Sequence, residues 1–298
     1  MDFHYGVPPR KPVIVREGRE EDKEAIFSFC QNTFSWGDYL PDAWDTWMKD
    51  QQGRIFVADV AGVAIGMVHL LFLNKTEGWI EGVRVHPDFR RVSVASQLLE
   101  FCLQFAKSKG VSSCRLLTLE NNLPARSLFT RLCWRKIAEF VNYEHLAYPA
   151  DLLGNVHIGR EEDLPSIRSA LAASKTFRVA AGLCPIMWRY HSLTSELLQQ
   201  FTKQSTVTLA HDGLAIFVRE SEKPSIVQTS YLEGSRRGVR ELVDFLSSMY
   251  GDTGTKTLLH IIAPNEQRLT QTLEEIGFRP RSIHLIYERT LPPISPLD

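Results

Sequence analysis

Short runs of apolar and β-branched residues, some alternating with polar ones and several bounded by turn residues, predict β-strands over residues 13–16, 54–60, 63–73, 77–85, 115–119 and 135–145. Over residues 22–32, 42–50, 96–109 and 122–132 the apolar positions recur every three or four residues, as on one face of a helix. Ala61-Gly62 and Asn74-Lys75-Thr76 read as turns between neighbouring strands, and Gly110 as a helix stop. Strands in the middle with helices around them predict an α/β (α+β) fold: a mixed, mostly antiparallel sheet with helices on both faces.

The pattern then repeats. Val13 to Asp22, ending in Arg19-Glu20-Glu21-Asp22, leads into an apolar-periodic helix. Val156 to Asp163, ending in Arg160-Glu161-Glu162-Asp163, leads into another, marked by Leu164, Ile167 and Leu171. Farther on, Cys133-Trp134 and Gly277-Phe278 close helices at almost the same offset, each followed by a strand. Agreement at both ends predicts two tandem copies of one unit, residues 1–150 and residues 151–298, with the boundary within 148–154. The second copy has expected strands near 206–210, 214–218, 226–231, 257–262 and 282–289, and a helix over 240–250.

The candidate chemistry is concentrated between Trp79 and Ser96. Trp79-Ile80-Glu81-Gly82-Val83-Arg84-Val85 runs as a strand into the turn His86-Pro87. Arg90-Arg91-Val92-Ser93-Val94-Ala95-Ser96 is a basic loop of small residues, and a helix follows with Leu98, Leu99, Cys102 and Leu103 on one face. A strand, a small-residue loop and a helix start together make a seat for a pyrophosphate, because the free amides and the helix dipole both favour an anion. The plainer alternative is an ordinary strand-to-helix turn. A second segment, Asn122 to Trp134, places Asn122, Ala125, Leu128, Phe129 and Cys133 after the strand at 115–119.

These two segments, in this order and at this separation, resemble the GNAT N-acetyltransferases. Arg90 to Ala95 is similar to that family's acyl-CoA loop, Arg/Gln-x-x-Gly-x-Gly/Ala, with Ser93 at the glycine position. Asn122 to Trp134 is similar to its Asn-x-x-Ala-x-x-Leu-Tyr-x-x-x-Gly-Phe segment, with Phe129 at the tyrosine and Cys133 at the glycine. The resemblance implies acetyl-CoA as co-substrate. It implies that Arg90, Arg91, Val92, Ser93, Val94, Ala95 and Ser96 hold the pyrophosphate, that Val83 and Val85 pair their backbone with the pantetheine, and that Asn122, Ser127 and Phe129 flank that arm. The second copy lacks the loop spacing before its 240–250 helix and is expected to have lost acyl-CoA binding.

Acetyl transfer to an amine also needs a base, an oxyanion donor and a route for the thiolate to leave. Strand alternation puts Trp79, Glu81, Val83 and Val85 on one face. A carboxylate between Trp and Val is poorly solvated, which suits Glu81 to take a proton. Acids at this strand position serve as base in several GNAT enzymes, and the alternative is a Glu in a salt bridge. With Phe129 in place of the family's tyrosine, two routes stay open: the thiolate leaves unaided, its pKa being below that of an amine, or Tyr143 or Ser127 serves as the acid. The acceptor is expected to meet Trp36, Asp38 and Tyr39, with Asp38 holding an ammonium group, while Trp44 and Trp47 form the buried face of a short helix. Taken together, the chain resembles the branch of GNAT proteins that includes the vertebrate histidine N-acetyltransferase type. That implies a free amino acid or small amine as substrate, whose carboxylate Arg84, Arg178 or Arg189 could pair.

Composition narrows the partners. The 298 residues carry 34 Lys+Arg against 35 Asp+Glu, so nothing suggests a nucleic-acid or polybasic membrane surface. The longest apolar run, residues 64–73, is too short for a bilayer. The first residues lack a signal-peptide pattern, and the 5 cysteines have no metal-ligand spacing, so a cytoplasmic protein with reduced thiols and no metal is expected. It would be a monomer or homodimer. The competing readings are a protein N-terminal or lysine acetyltransferase, and a non-catalytic acyl-CoA-binding scaffold.

Overall fold

The alternating segments near the N-terminus become antiparallel neighbours: β1 (Ile14–Glu17), β2 (Gly53–Val60), β3 (Val63–Phe72) and β4 (Glu77–Val85). A computed structural model describes residues 12–31, 33, 37–150, 155–219, 226–251 and 256–293. Its contacts divide into two units, one of residues 1–116 with 288–298 and one of residues 117–287.

In the first unit β2 and β3 are joined by Ala61 and Gly62, both at positive φ (57° and 87°), and the Gly62 amide is tied to Asp59 Oδ1 at 2.7 Å. Two left-handed residues match the twist of the flanking strands, which is why a small residue and a glycine stand there. Helices α1 (Lys23–Cys30) and α2 (Leu40–Lys49) bury Ile26, Cys30, Leu40, Trp44 and Trp47 against Ile55, Val57 and Met67. Trp44 and Trp47 are the helix face expected from their spacing, and truncating a ring of this kind costs roughly 3–5 kcal/mol. Helix α3 (Val94–Ser108) contacts β1 to β4, with Phe101 and Phe105 edge-on to Phe56. Strand β5 (Ser113–Leu119) runs parallel to β4, but the pairing covers only Glu77–Ile80 against Ser113–Leu116. The remainder of β4, Glu81 to Val85, runs on beyond that ladder.

The second unit contains α4 (Leu123–Arg131), β6 (Arg135–Leu146), β7 (His157–Ile158), α5 (Leu164–Ala173), α6 (Lys175–Val179), β8 (Leu183–Ile186), β9 (Arg189–Ser192) and α7 (Ser195–Lys203). It continues with β10 (Val207–Leu209), β11 (Leu214–Arg219), β12 (Ile226–Glu233), α8 (Arg236–Gly251), β13 (Leu258–Pro264), α9 (Gln267–Glu275) and most of β14 (Arg279–Thr290). Its strand order is β14-β6-β13-β12-β11-β10-β7, with β8 and β9 as a separate hairpin. Leu242, Val243, Leu246, Leu269 and Leu273 of α8 and α9 share one core with Val141 and Tyr143, while Leu164, Ile167 and Leu198 of α5 and α7 share another with Ile216 and Tyr231.

The two segments that match in sequence also share local geometry. Asp22 Oδ2 accepts the Arg19 amide at 2.8 Å, and Asp163 Oδ2 accepts the Arg160 amide at 2.8 Å. Gly18 donates to Ile55 O at 2.8 Å and Gly159 to Val207 O at 2.9 Å. A Cβ on either glycine would crowd the strand residue beneath it, Ile55 or Val207. The parallel pairing of β12 with β13, over Ile226–Thr229, is as short as that of β4 with β5. The compact units nevertheless do not follow the repeats. Strand β6, which closes the first repeat, lies in the second unit between β14 and β13, and residues 288–293 belong to the first unit. There Arg115 bonds Glu288 at 2.8 Å and the Leu291 amide bonds Ser112 O at 2.8 Å.

Helix starts were expected too late. Helix α3 begins at Val94 rather than Ser96, and α8 at Arg236 rather than Arg240, where Ser235 Oγ accepts the Gly238 amide at 3.1 Å. The hairpin β8–β9, whose strands are 4 residues each, is too short to show an alternating pattern, and helix α7 buries the apolar face of Leu198 and Phe201.

Candidate functional site

The site-bearing strand is β4, and its character comes from one extra residue. Opposite β3 the register runs Gly66↔Val85 and Met67↔Arg84, then His69↔Glu81. Two residues of β4, Gly82 and Val83, therefore face Val68 alone, which is a β-bulge. Gly82 supplies it with φ +67°. A Cβ there would stand 2.9 Å from the Trp47 ring, so close approach and backbone conformation both require glycine.

The bulge corrects the expected facing. Met67 and His69 lie on one face of β3, so their partners Arg84 and Glu81 also share a face. Val85 pairs with Gly66, on the opposite face, where a Cβ at Gly66 would meet Val94 and Leu98 of α3. Strict alternation had put Val83 and Val85 beside Glu81. The inserted residue ends that alternation and brings Arg84 there instead.

On this face Glu81 is gripped at both oxygens. Trp79 Nε1 donates to Oε2 at 3.0 Å, and His69 Nδ1 lies 3.0 Å from Oε1. The Glu81 side chain keeps 17% exposure while His69 has none. Trp47 stacks flat on the His69 ring, with centroids 4.2 Å apart and planes 8° from parallel.

Arg84 meets Asp38 in a bidentate pair, Nε to Oδ2 at 2.8 Å and Nη2 to Oδ1 at 3.0 Å. Asp38 Oδ1 also accepts the Leu40 amide at 3.1 Å, at the start of α2. Burial would raise the Asp38 carboxyl, but Arg84, Thr33 and the Leu40 amide outweigh it, so it lies below the usual carboxylate range. Burial likewise acts to lower the Arg84 guanidinium, and Asp38 more than offsets this. Tyr39 lies under the guanidinium, 5.2 Å from its carbon to the ring centroid. Burial raises the Tyr39 hydroxyl, Arg84 opposes, and the nearby Glu81 charge reinforces. Burial, with Asp38 adding to it, pushes the Cys30 thiol up to about 12 against Arg84 and Arg90, so it is no nucleophile at neutral pH.

The structure thus brings Asp38, Tyr39, Glu81 and Arg84 together, but in other roles than their spacing suggested. Asp38 is committed to Arg84, so it is not a free acid for an ammonium group, and Arg84 is not a free clamp for a carboxylate. Trp36 lies outside the described residues. Sequence reasoning missed His69, although a lone His in the apolar run of residues 64–73 was its visible signal.

The loop ahead of α3 is built around two left-handed residues, Arg91 (φ 63°) and Ser93 (φ 67°). Ser93 is the residue before the helix, and its hydroxyl makes no capping bond. Glycine would adopt this conformation freely, whereas a Cβ adds of order 1 kcal/mol of strain. The conformation survives the substitution. Arg90, Arg91, Val92 and Ser93 are exposed, Val94 is buried, and Ala95 and Ser96 are half-buried. By helix geometry the first-turn amides of Val94, Ala95 and Ser96 have no partner within the helix, and that turn holds no acidic residue. Arg90 Nε donates to Val85 O at 3.2 Å, fixing the loop to the end of β4. The second unit is unlike this where β12 meets α8: Glu233 stands there, bonded by Tyr231 at 2.8 Å and by Ser174.

Within the second unit, Asn122 caps α4 through the Ala125 amide at 3.2 Å and Ser127 is exposed. Phe129 is buried with its ring 5.3 Å from that of Tyr287. Cys133 has φ +58°, which explains why a glycine would suit that helix end. Tyr143, a candidate acid, is instead a fully buried core residue on an interior strand. Its hydroxyl reaches Glu274 at 3.4 Å, and burial with that carboxylate raises it well above a tyrosine's ordinary value. Arg178 is exposed on α6 and bonds Ala173 O.

Residues 21–133 match the model of the Acetyltransferase (GNAT) family. The histidine N-acetyltransferase of Oreochromis niloticus is 33% identical over 100 residues, covering 33% of this chain and 30% of that protein. The histidine N-acetyltransferase of Xenopus tropicalis is 29% identical over 111 residues, covering 37% and 34%. The chain thus matches about a third of these relatives' length. A solved GCN5-related N-acetyltransferase from Sphaerobacter thermophilus superposes with a TM-score of 0.64, covering 97% of this chain and 98% of that one. At 14% identity that likeness shows a shared fold alone. Among the described residues no helix is long and apolar enough to cross a membrane, and no cluster of His, Cys, Asp and Glu could hold a metal.

Proposed function

We propose that the protein, whose residues 21–133 match the model of the Acetyltransferase (GNAT) family, moves an acetyl group from acetyl-CoA to the amine of a small molecule, a free amino acid being the preferred class. The observation that carries this is the conjunction, within one unit, of an acid-free helix start behind a left-handed loop and a bulged strand presenting Glu81. Acetyl-CoA supplies an activated acetyl thioester. Its pyrophosphate suits the first-turn amides of Val94, Ala95 and Ser96, where the helix dipole is positive and Arg90 and Arg91 add charge. The β4 backbone beyond Ile80 is suited to pair with an extended pantetheine in the manner of an added strand.

Glu81 takes the proton that an ammonium acceptor must lose, directly or through one water, and so frees the lone pair for attack on the thioester carbonyl. The Asp38–Arg84 pair and Tyr39 wall this side of the strand and cap α2, so they shape the acceptor's surroundings rather than neutralise it. The amino-acid class is favoured by the resemblance of this segment to the histidine N-acetyltransferases. The second repeat, with Glu233 where an anion would sit, fits a domain that no longer binds acyl-CoA.

The test is release of CoA thiol from acetyl-CoA across a panel of free amino acids, small amines and peptides. Thiol release with an amino acid, abolished by Glu81→Gln, supports the proposal. Release only with peptides would move the activity to a protein acetyltransferase, and acetyl-CoA binding without release from any acceptor would leave a non-catalytic binding protein.

A further inference from the structure

One buried polar side chain in the first unit is unused by this mechanism. His69 lies inside the sheet-and-helix core with no exposure, on β3 directly opposite Glu81. Its Nδ1 is 3.0 Å from Glu81 Oε1, while its Nε2 is buried and finds no hydrogen-bond partner among the described residues. That nitrogen faces the backbone of Gly53, where a Cβ would lie only 2.4 Å away. A buried nitrogen facing a C–H is tolerable as a bare acceptor and costly as an N–H with nowhere to donate. A carboxylate oxygen, conversely, needs a donor. Both ends of the ring therefore select one state: hydrogen on Nδ1, none on Nε2.

We propose that His69 is a positioning residue for Glu81: a fixed neutral donor that, with Trp79 Nε1, sets the orientation of the carboxylate, and not a proton relay. The inference rests on Glu81 being the base. The proton leaving the ammonium goes to Glu81 and stays there until solvent removes it, since Nδ1 already carries hydrogen and Nε2 has no onward acceptor among the described residues. Trp47 holds the ring in plane by stacking, and Gly53 leaves room for its edge. The other polar groups around the pair are Arg84, tied to Asp38, and Tyr39, whose hydroxyl titration is raised in part by the Glu81 charge. Asp50 Oδ2 lies 3.6 Å from the Cβ position at Gly53.

Two variants separate donor from relay. His69→Asn keeps an amide donor near the Nδ1 position but cannot carry a proton, and His69→Leu removes the donor. Turnover is expected to fall about tenfold to hundredfold in His69→Leu, with the KM for acetyl-CoA little changed, and to recover most of the way in His69→Asn. Equal damage in both variants would mean that His69 passes protons, and undamaged turnover in His69→Leu would mean that it does nothing for Glu81; either result overturns the proposal. Nitrogen-15 NMR of the wild-type imidazole tests the pair without any turnover. A resonance pattern of Nδ1–H with bare Nε2 is expected, and an Nε2–H or doubly protonated ring would overturn it. Should no acceptor be acetylated at all while the NMR pattern holds, the acetyltransfer reading fails and the donor assignment to His69 stands.

Discussion

Arg84 grips Asp38 with two hydrogen bonds of 2.8 and 3.0 Å across 46 positions of sequence, with the Asp38 side chain only 2% exposed. The pair joins the bulged end of β4 to the start of α2. Replacing Asp38 by Ala would leave a buried guanidinium without its partner, so we predict a loss of about 3–5 kcal/mol in urea denaturation. Exchanging both residues for apolar ones of similar size should cost far less. Equal losses in the single and double variants would contradict the buried-pair account.

Gly82→Ala should lose both stability and turnover. The added methyl meets a rigid indole at 2.9 Å, and its φ of +67° is strained for any residue with a Cβ. We predict a cost of about 1–3 kcal/mol and a shifted bulge that misplaces Glu81 and Arg84. Pairing it with Trp47→Leu, which opens space, should restore part of the stability; thermal melts of the two proteins check this.

Ser93→Gly should tighten acetyl-CoA binding while changing stability by no more than about 1 kcal/mol. The relief of left-handed strain is offset by the greater freedom glycine gives the unfolded chain. Calorimetric titration reads the affinity. A weaker affinity in the glycine variant would show instead that the Ser93 hydroxyl is itself a ligand for the cofactor.

Glu81→Gln should reduce turnover about 10²–10⁴-fold with acetyl-CoA affinity retained. The amide still accepts from Trp79 or His69 but cannot take the proton. Steady-state kinetics beside a binding titration separates the two effects, and unchanged turnover would remove Glu81 from the mechanism.

The second unit should lose stability on mild acidification. Burial, against the opposing charge of Glu144, lowers His260 to about 4, and burial together with His260 lowers His284 to about 4. An unfolded histidine titrates near 6.5. Above that value both states are neutral and stability is full; between about 6.5 and 4 the unfolded chain binds more protons, so stability falls as pH falls. Melting temperature across pH 7 to 4.5 should decline, and His260→Gln should flatten the decline. A flat wild-type profile would contradict it.

Much of this was legible in the chain. Residues 77–85 were expected as a strand and form one, because alternation and β-branched residues agree there. The turn at Ala61-Gly62 and the buried face of Trp44 and Trp47 were equally readable from local pattern. The site was half legible. Ser93 and Cys133, at positions where the family resemblance calls for glycine, do take left-handed conformations. What the sequence hid was long-range. Gly82 could have signalled a bulge, since a glycine within a strand often marks one, but the change of face it causes depends on the register with β3. Arg84 and Asp38 each looked free to bind substrate because nothing local shows that they meet. Tyr143 was misjudged because strand order, not strand pattern, places β6 in the interior of a sheet.

That same strand order sets a timetable. The first unit includes residues 288–293, and the strand that ends the first repeat belongs to the second unit. As the chain leaves the ribosome, its first unit must wait for residues 288–293 before it can close, and the nascent chain needs shelter for an open sheet edge until then. We predict that a fragment cut at residue 150 is rapidly digested by protease, whereas the full chain resists; a resistant fragment would show that the first repeat can close on its own strand.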